Sequence, residues 1–215
     1  MRTLIIGATG KVGRETVRFA LEAGDEVRAF GRSIASITIE SPRLEKFRGD
    51  VMNASDLDSA MVDIERVILA FGAPLNKDTI LHKPDLTEKG TVSAIEAMKN
   101  HNVTELVAMT AIGAGDSKGH GRFVFRNLIE PVLLDRIMQD RTEQEKQVRA
   151  SGIPKWVIVR PTELTDGEAT QEIRVIEDLN TEPEPTQISR ANVGWFLAQR
   201  AAQGEYWGKT ILISN

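Results

Sequence analysis

The stretch Gly7-Ala8-Thr9-Gly10-Lys11-Val12-Gly13 decides the fold, because its glycines stand between a buried strand and an amphipathic helix. The apolar run Thr3–Ile6 leads directly into it. Lys11–Ala23 follows, with apolar side chains repeating at helical spacing. A strand, a glycine-rich turn and a helix in this order predict a site where the backbone binds a phosphate group.

Each glycine of the turn has its own role in that prediction. Gly7 permits a tight turn, Gly10 leaves the backbone open to a diphosphate, and Gly13 lets the helix pack close to the strand. The free N–H groups of the first helical turn then face the anion. The alternative is a glycine turn that only connects two elements. The remaining members of the predicted phosphate turn are Thr9, Lys11 and Val12.

The bulk composition narrows the classes of protein to consider. With 41% hydrophobic and 27% charged residues, the chain has the composition of a soluble globular protein. A net charge of -4 gives no basic field for nucleic acid or a membrane surface. The absence of cysteine excludes disulfides, thiolate metal sites and cysteine nucleophiles. No apolar run is long enough for a signal peptide or a membrane span, so we expect a cytoplasmic protein.

Short apolar runs alternate with helical patterns, which is typical of βαβ units around a parallel sheet. The pattern predicts a Rossmann-type α/β fold, a doubly wound parallel sheet in a three-layer αβα arrangement. The predicted strands are Thr3–Ile6, Glu26–Phe30, Leu44–Arg48, Arg66–Phe71, Glu105–Thr110 and Lys155–Arg160. The predicted helices are Lys11–Ala23, Ser55–Met61 with Ser55 as its cap, Pro84–Asn100 and Asn127–Ala150.

The part of the chain after the sixth strand is too short for an independent domain. We therefore expect residues 1–215 to form a single domain with a small C-terminal extension. A short strand is predicted within Glu172–Glu177, a helix capped by Ser189, and a closing strand over Thr210–Ile213. The elements from about residue 162 onward are expected to pack over the substrate side of the sheet.

The end of the second strand indicates which dinucleotide binds. Proteins that prefer NAD place an acidic residue there, about 20 residues past the glycines, to bind the ribose hydroxyls. This chain has Arg32 and Ser33 instead, while Asp25 and Glu26 stand at the other end of the strand. A guanidinium forms paired hydrogen bonds with a phosphate, so the sequence predicts NADP(H). Lys11 and Arg14 lie in the facing turn and add positive charge. The alternative is that Arg32 is a solvated loop arginine.

Residues that follow the other strands converge on the same crevice, because ligands lie outside the carboxyl ends of a doubly wound sheet. After the third strand stand Asp50 and Val51, where a carboxylate can accept a hydrogen bond from the adenine amino group. After the fourth strand the predicted site includes Phe71, Gly72 and Ala73, and after the fifth and sixth strands Thr110, Ala111, Pro161 and Thr162. Each of these segments can alternatively be an ordinary loop.

Taken together, these motifs resemble the atypical short-chain dehydrogenase/reductase family with an NAD(P)H-binding domain, in particular the biliverdin reductase B (flavin reductase) group and its NmrA-like relatives. The resemblance implies reduction of a small planar acceptor by NADPH. In the biliverdin reductase B group a serine near the nicotinamide follows the threonine after strand five, whereas here Ala111 stands at that position. The matching segments are Gly7-Ala8-Thr9-Gly10-Lys11-Val12-Gly13, Gly31-Arg32-Ser33, Gly49-Asp50-Val51, Met109-Thr110-Ala111, Ser151-Gly152-Ile153, Val159-Arg160-Pro161 and Ile188-Ser189-Arg190-Ala191-Asn192-Val193.

The Tyr-x-x-x-Lys pair that serves ordinary members of this superfamily as an acid–base group is absent. The chain has one tyrosine, Tyr206, and the residue four positions later is Thr210. Hydride transfer to a flavin, quinone or tetrapyrrole does not require a protein acid, since the cofactor carries the hard chemistry. Thr110 is the one candidate catalytic hydroxyl after strand five.

For three further groups of residues we favour a structural interpretation over a functional one. Arg141 and Glu145, one helical turn apart on the helix where the usual tyrosine and lysine would be, are expected to form an exposed ion pair, with a catalytic pair as the alternative. The basic, phenylalanine-bearing loop Gly113–Arg126 either closes over an anionic acceptor or is a surface loop, and we favour the surface loop. The histidines lack metal-ligand spacing, so no metal site is predicted; they are His82, His101 and His120.

The sequence therefore predicts an NADPH-dependent oxidoreductase that passes hydride to a small conjugated acceptor. The alternative is a non-catalytic NADP(H)-binding sensor of the NmrA-like type. An epimerase or dehydratase is disfavoured because the tyrosine–lysine pair is missing. The expected partner is a small molecule rather than nucleic acid or a membrane, and the oligomeric state stays open between monomer and homodimer.

Overall fold

A computed structural model of the chain describes residues 1–73, 84–120, 135–179 and 185–215. Their strands are β1 Arg2–Ile6, β2 Glu26–Gly31, β3 Leu44–Arg48, β4 Arg66–Leu69, β5 Glu105–Met109, β6 Lys155–Pro161, β7 Leu164–Thr165, β8 Arg174–Ile176, β9 Ile188–Ser189 and β10 Lys209–Ser214. The main sheet has the order β3-β2-β1-β4-β5-β6-β10-β8, and β7 pairs with β9 in a second, two-stranded sheet. In the main sheet β8 runs antiparallel to β10, and the other pairs are parallel.

Helices cover both faces of the main sheet. They are α1 Lys11–Glu22, α2 Ala54–Ala60, α3 Leu86–Asn100, α4 Asp135–Arg149 and α5 Arg190–Trp195, which a π-helical segment continues over Phe196–Arg200. Helix α1 packs against α5, while α3 packs against both α2 and α4. Side chains of β1 alternate between two cores: Ile5 lies in the core of α1, whereas Leu4 and Ile6 lie in the core of α2 and α3. The predicted three-layer, mostly parallel α/β fold is confirmed.

The structure corrects some of the predicted boundaries. Helix α2 is capped by Asn53 rather than by Ser55, because the side-chain oxygen Oδ1 of Asn53 accepts hydrogen bonds from the backbone N–H groups of Ser55 and Asp56 at 3.0 and 3.4 Å. Strand β4 ends two residues before Phe71, since Leu69 is the last residue paired with β1. Residues 127–134 of the predicted helix Asn127–Ala150 lie outside the described residues.

The strand order places a crevice at one edge of the main sheet. Because the order reverses between β1 and β4, a crevice opens between them at the carboxyl ends of the strands. The β7–β9 pair follows directly from the carboxyl end of β6, so it begins at the same edge. That the C-terminal elements pack over a substrate stays a prediction. Among the described residues, no helix has the length and apolar character needed to cross a membrane.

Candidate cofactor and active site

A cavity of about 220 Å³ lies at this crevice, between the carboxyl ends of the first four strands and the start of α3. Its lining contains these residues of the predicted site: Gly7, Thr9, Gly10, Arg32, Asp50, Val51, Phe71 and Gly72. The lining does not include the predicted Lys11, Val12, Gly13, Ser33, Ala73, Thr110, Ala111, Pro161 and Thr162. The structure therefore brings the phosphate turn together with the residues that follow β2, β3 and β4.

Two glycines of the turn are required by the packing of the protein itself. Gly7 has a φ of +89°, a conformation that favours glycine, and a Cβ there would lie 2.7 Å from the backbone nitrogen of Phe71. A Cβ on Gly13 would overlap the carbonyl oxygen of Gly7. These two positions fix how closely β1, α1 and β4 approach one another.

Gly10 differs from the other two glycines. A Cβ on it would meet only the carbonyl oxygen of Gly7 at 3.4 Å, an ordinary van der Waals contact. Gly10 is also the N-cap of α1 and caps it without a side-chain hydrogen bond. The N–H groups of the first helical turn thus remain available, with open space in front of them. An approaching diphosphate is the ligand that this open space and these donors fit.

Arg14 holds the phosphate turn against the loop that follows β2. Its Nε donates to the carbonyl oxygen of Thr9 at 3.0 Å, and its two terminal nitrogens donate to the backbone oxygen and hydroxyl of Ser36 at 2.8 Å each. Its guanidinium is therefore used within the protein instead of adding free positive charge. Lys11 is exposed, and its ammonium lies 3.5 Å from the carboxylate of Asp166.

Arg32 lines the cavity and is exposed, and it makes no hydrogen bond or ion pair within the described part of the chain. The exposed Ser33 stands beside it. The acidic Asp25 is buried at the opposite end of β2, where it accepts a hydrogen bond from the Thr3 hydroxyl at 2.8 Å. Asp50 also lines the cavity, and one of its carboxylate oxygens accepts from the backbone N–H of Met52 at 3.0 Å.

The ends of β5 and β6 are joined beside the cavity. The backbone N–H of Thr110 donates to the carbonyl oxygen of Val159 at 2.8 Å, and that of Ile112 donates to Pro161 at 3.0 Å. The Thr110 side chain is only 3% exposed, and its hydroxyl donates to Glu145 at 2.9 Å. The Thr162 hydroxyl is buried there and has no hydrogen-bond partner in the described parts of the chain. A buried hydroxyl without a partner is compatible with a polar ligand group at this place.

The expectation that Arg141 and Glu145 form an exposed ion pair is wrong. Both residues are buried on the face of α4 that packs against α3 and the sheet. Glu145 instead accepts two hydrogen bonds from Arg160, at 2.8 and 2.6 Å, and one from Arg149 at 3.0 Å. The Nη1 atom of Arg141 donates to the carbonyl oxygens of Phe71 and Met109, at 2.9 and 3.0 Å.

Arg141 thus lies beside the site, in a buried position that the expectation of an exposed pair did not give it. Burial lowers its pKa to about 10, against the opposing charges of Asp140 and Glu145. A signal was present, because Ile137, Arg141, Gln144 and Val148 share one helical stripe that begins and ends with apolar residues. A charged residue inside an apolar stripe indicates burial more than exposure.

The one tyrosine of the chain lies far from the cavity. Tyr206 comes just before β10, whose first residues pair with the start of β6, so it lies at the amino edge of the sheet. Its ring packs on that of Phe196, with 5.8 Å between centroids. No tyrosine therefore reaches the carboxyl edge, where the cavity opens.

Other predicted features fall partly outside the described residues. In the loop Gly113–Arg126, the positions from 121 onward lie outside them, and so does His82. In the described part of that loop, the Ser117 hydroxyl oxygen accepts a hydrogen bond from the backbone N–H of Gly113 at 3.0 Å. His101 lies 3.0 Å from Asp58.

Comparison with known proteins agrees with this geometry. The sequence model of a family described as NAD(P)H-binding matches residues 7–203. A (4-alkanoyl-5-oxo-2,5-dihydrofuran-3-yl)methyl phosphate reductase of Streptomyces griseus subsp. griseus is 28% identical over 158 residues, which cover 74% of this chain and 46% of that enzyme. The chain therefore spans about half the length of this relative.

Solved structures share the fold. ChuY, an anaerobilin reductase from Escherichia coli O157:H7, superposes with a TM-score of 0.77 at 20% identity, covering 100% of this chain and 97% of that one. A short-chain dehydrogenase/reductase from Veillonella parvula in complex with NADP superposes with a TM-score of 0.80 at 17% identity, covering 100% and 94% of the two chains.

Proposed function

This chain belongs to the NAD(P)H-binding family of Rossmann-fold oxidoreductases, and on that basis we propose that it is an NADPH-dependent reductase. The acceptor is a small conjugated molecule of the flavin, quinone or tetrapyrrole class, reduced without a Tyr-x-x-x-Lys acid. The similarity to reductases, among them the anaerobilin reductase, supports reduction as the class of reaction.

The preference for NADPH depends on one observation, the position of Arg32. This arginine lies at the end of β2 and lines the cavity, without a carboxylate partner among the described residues. A carboxylate at this position would hydrogen-bond the ribose hydroxyls of NAD and repel a 2′-phosphate, whereas a guanidinium attracts the phosphate. Ser33 next to it is placed to donate a further hydrogen bond.

The roles of the other residues follow from their places along the edge of the sheet. The turn at Gly7–Gly13 binds the diphosphate, and Asp50 and Val51 hold the adenine. Thr110, Ala111, Pro161 and Thr162 stand at the ends of β5 and β6, where the nicotinamide is expected. When bound, the reduced nicotinamide supplies a hydride, while the protein orients it and excludes water. The reduced acceptor takes its proton from solvent.

A specific observation favours the alternative of a non-catalytic NADP(H) sensor. The hydroxyl of Thr110 is committed to Glu145, and the next residue is Ala111, so neither offers a free hydroxyl to a substrate. The two functions differ in whether the protein oxidises NADPH when an acceptor is present. We expect oxidation of NADPH, followed by its absorbance, with at least one of FMN, menadione and biliverdin. Tight NADPH binding without turnover on this panel would instead favour the sensor.

Replacing Arg32 tests the cofactor preference. We expect Arg32→Ala to weaken NADPH binding about 10- to 100-fold, the loss of a charge-assisted hydrogen bond, and to change NADH binding less than about threefold. Fluorescence titration of both dinucleotides measures this. Arg48→Ala is a matched control, because Arg48 is exposed and pairs in register with Gly31 but does not line the cavity. An equal loss for NADPH and NADH in Arg32→Ala would remove the assignment of the 2′-phosphate site.

A further inference from the structure

The guanidinium of Arg141 lies at the carboxyl edge of the sheet, beside the wall of the cavity. Its Nη1 atom bridges the ends of β4 and β5 through the carbonyl oxygens of Phe71 and Met109, and also donates to the Gln144 side chain at 3.0 Å. Its Nη2 atom lies against Gly72, where a Cβ would overlap it. Gly72 lines the cavity, so the Nη2 amino group lies directly behind the cavity wall at this glycine.

No carboxylate among the described residues forms a salt bridge or hydrogen bond with this cation. Of the two carboxylates whose charges act on it, Asp140 accepts from the backbone N–H groups of Thr87 and Glu88, at 3.1 and 3.0 Å, and so caps α3. Glu145 is held by Arg160, Arg149 and Thr110. The Nη2 atom of Arg141 makes no hydrogen bond within the described ranges.

A buried cation without a hydrogen-bonded anionic partner is costly. Arg141 is 9% exposed, and its burial lowers its pKa to about 10. Proteins pair buried charges, and an uncompensated one is retained where a bound group supplies the missing partner. Two further buried polar atoms, the Nε2 atom of Gln144 and the hydroxyl of Thr87, also lack hydrogen-bond partners among the residues that the structure describes. The buried polar groups around Arg141 therefore have more hydrogen-bonding capacity than the described residues use.

We propose that the Nη2 amino group of Arg141 donates to the carbonyl oxygen of a conjugated acceptor, such as a quinone or an enone, and stabilises the negative charge that collects on that oxygen during reduction. This inference rests on the proposed reductase function. One free amino group suits a single oxygen atom better than a carboxylate or phosphate, which needs the whole fork of an arginine. Arg141 then supplies electrostatically what the missing tyrosine supplies as an acid.

The step balances without a protein acid. A hydride from NADPH, carrying two electrons, forms a C–H bond at an electrophilic carbon of the acceptor. The adjacent conjugated double bond shifts, and the displaced electron pair comes to rest on the carbonyl oxygen beside Arg141. That oxygen takes a proton from water, so NADPH is oxidised to NADP⁺ and the acceptor is reduced by two electrons. Arg141 keeps its proton throughout.

Kinetics of two variants with menadione test the role. We expect Arg141→Gln to lower kcat about 100-fold, as removal of one oxyanion donor does, and Arg141→Lys to recover at least about tenfold of that loss. The affinity for NADPH, titrated by fluorescence, should stay within about threefold in both variants. A parallel loss of NADPH affinity would assign Arg141 to the cofactor, and an unchanged kcat would make it structural; either result overturns the proposal.

A second readout does not require turnover. The absorbance of 4-nitrophenol bound to the NADP⁺ complex reports whether it is phenol or phenolate. We expect the wild-type complex to favour the phenolate, with an apparent pKa of the bound probe about one unit higher in Arg141→Gln. Equal titration in wild type and variant overturns the role of Arg141. A wild-type protein that binds phenolate but reduces no acceptor leaves Arg141 as an anion site and removes the reductase function instead.

Discussion

At the scale of single residues, the three glycines of the turn are required for different reasons. Gly7 and Gly13 are glycines because the protein's own atoms occupy the space of a side chain. Around Gly10 that space is open, so the packing of the protein does not explain why a glycine stands there. A ligand that approaches the backbone at this position explains the glycine. Gly10 is therefore expected to matter for ligand binding and not for folding.

This separation predicts the behaviour of Gly10→Ala. The variant should fold, with a free energy of unfolding within about 1 kcal/mol of wild type, because alanine fits the space and is only a weaker N-cap. Its NADPH affinity should fall at least about tenfold, since the added methyl group lies in front of the phosphate-binding N–H groups. Thermal unfolding and calorimetric titration measure the two quantities. In the comparison variant Gly13→Ala, the free energy of unfolding should fall, because the added methyl group overlaps the backbone of Gly7. Unchanged NADPH binding by Gly10→Ala would contradict the role of Gly10 in binding.

Residue identity predicted the lining of the cavity better than the buried surroundings of α4. The turn and the residues after β2, β3 and β4 could be found because each follows an apolar strand, and parallel strands end at one edge. Arg141 and Glu145 could not be found in the same way. Whether a charged pair one helical turn apart is exposed depends on which face of the helix packs, and that is a tertiary property.

At the scale of elements, the buried strands were the most predictable and the helix ends the least. The buried β1 begins one residue before the predicted Thr3 and ends at the predicted Ile6, because an apolar run that leads into a glycine turn leaves little choice. The cap of α2 was misassigned by two residues, since Asn53 and Ser55 are both good caps and the sequence does not rank them. The start of α3 is capped by Asp140 from another helix, a contact between elements 53 residues apart for which no local pattern exists.

The buried ion pair between Glu145 of α4 and Arg160 of β6 leads to a prediction about stability. Glu145→Gln removes the negative charge that holds the buried Arg160, and we expect a loss of about 3 kcal/mol in the free energy of unfolding. Arg160 keeps a second partner, Asp116, at 2.6 Å, so the protein should still fold. Urea denaturation measures the difference. Glu143→Gln, on the same helix in a surface pair with Lys146, is the control and should cost no more than about 0.5 kcal/mol. Equal effects of the two variants would contradict the buried role of Glu145.

At the scale of the whole molecule, the strand order unites residues that are distant in the sequence. Gly10, Arg32, Asp50 and Gly72 belong to four different strand ends, and the reversal of order between β1 and β4 gathers them around one cavity. Next to that cavity, α4 delivers Arg141 and the end of β6 delivers Pro161. The cofactor and the acceptor are therefore expected to meet where β4, β5 and β6 end.

The central claim is that this cavity binds a phosphorylated nicotinamide dinucleotide. Calorimetric titration of the purified protein with NADPH, and separately with NADH, tests it most directly. We predict saturable one-to-one binding of NADPH that is at least about tenfold tighter than that of NADH, because only NADPH carries the phosphate that Arg32 receives. The absence of binding heat with both dinucleotides, at several temperatures, would contradict the claim.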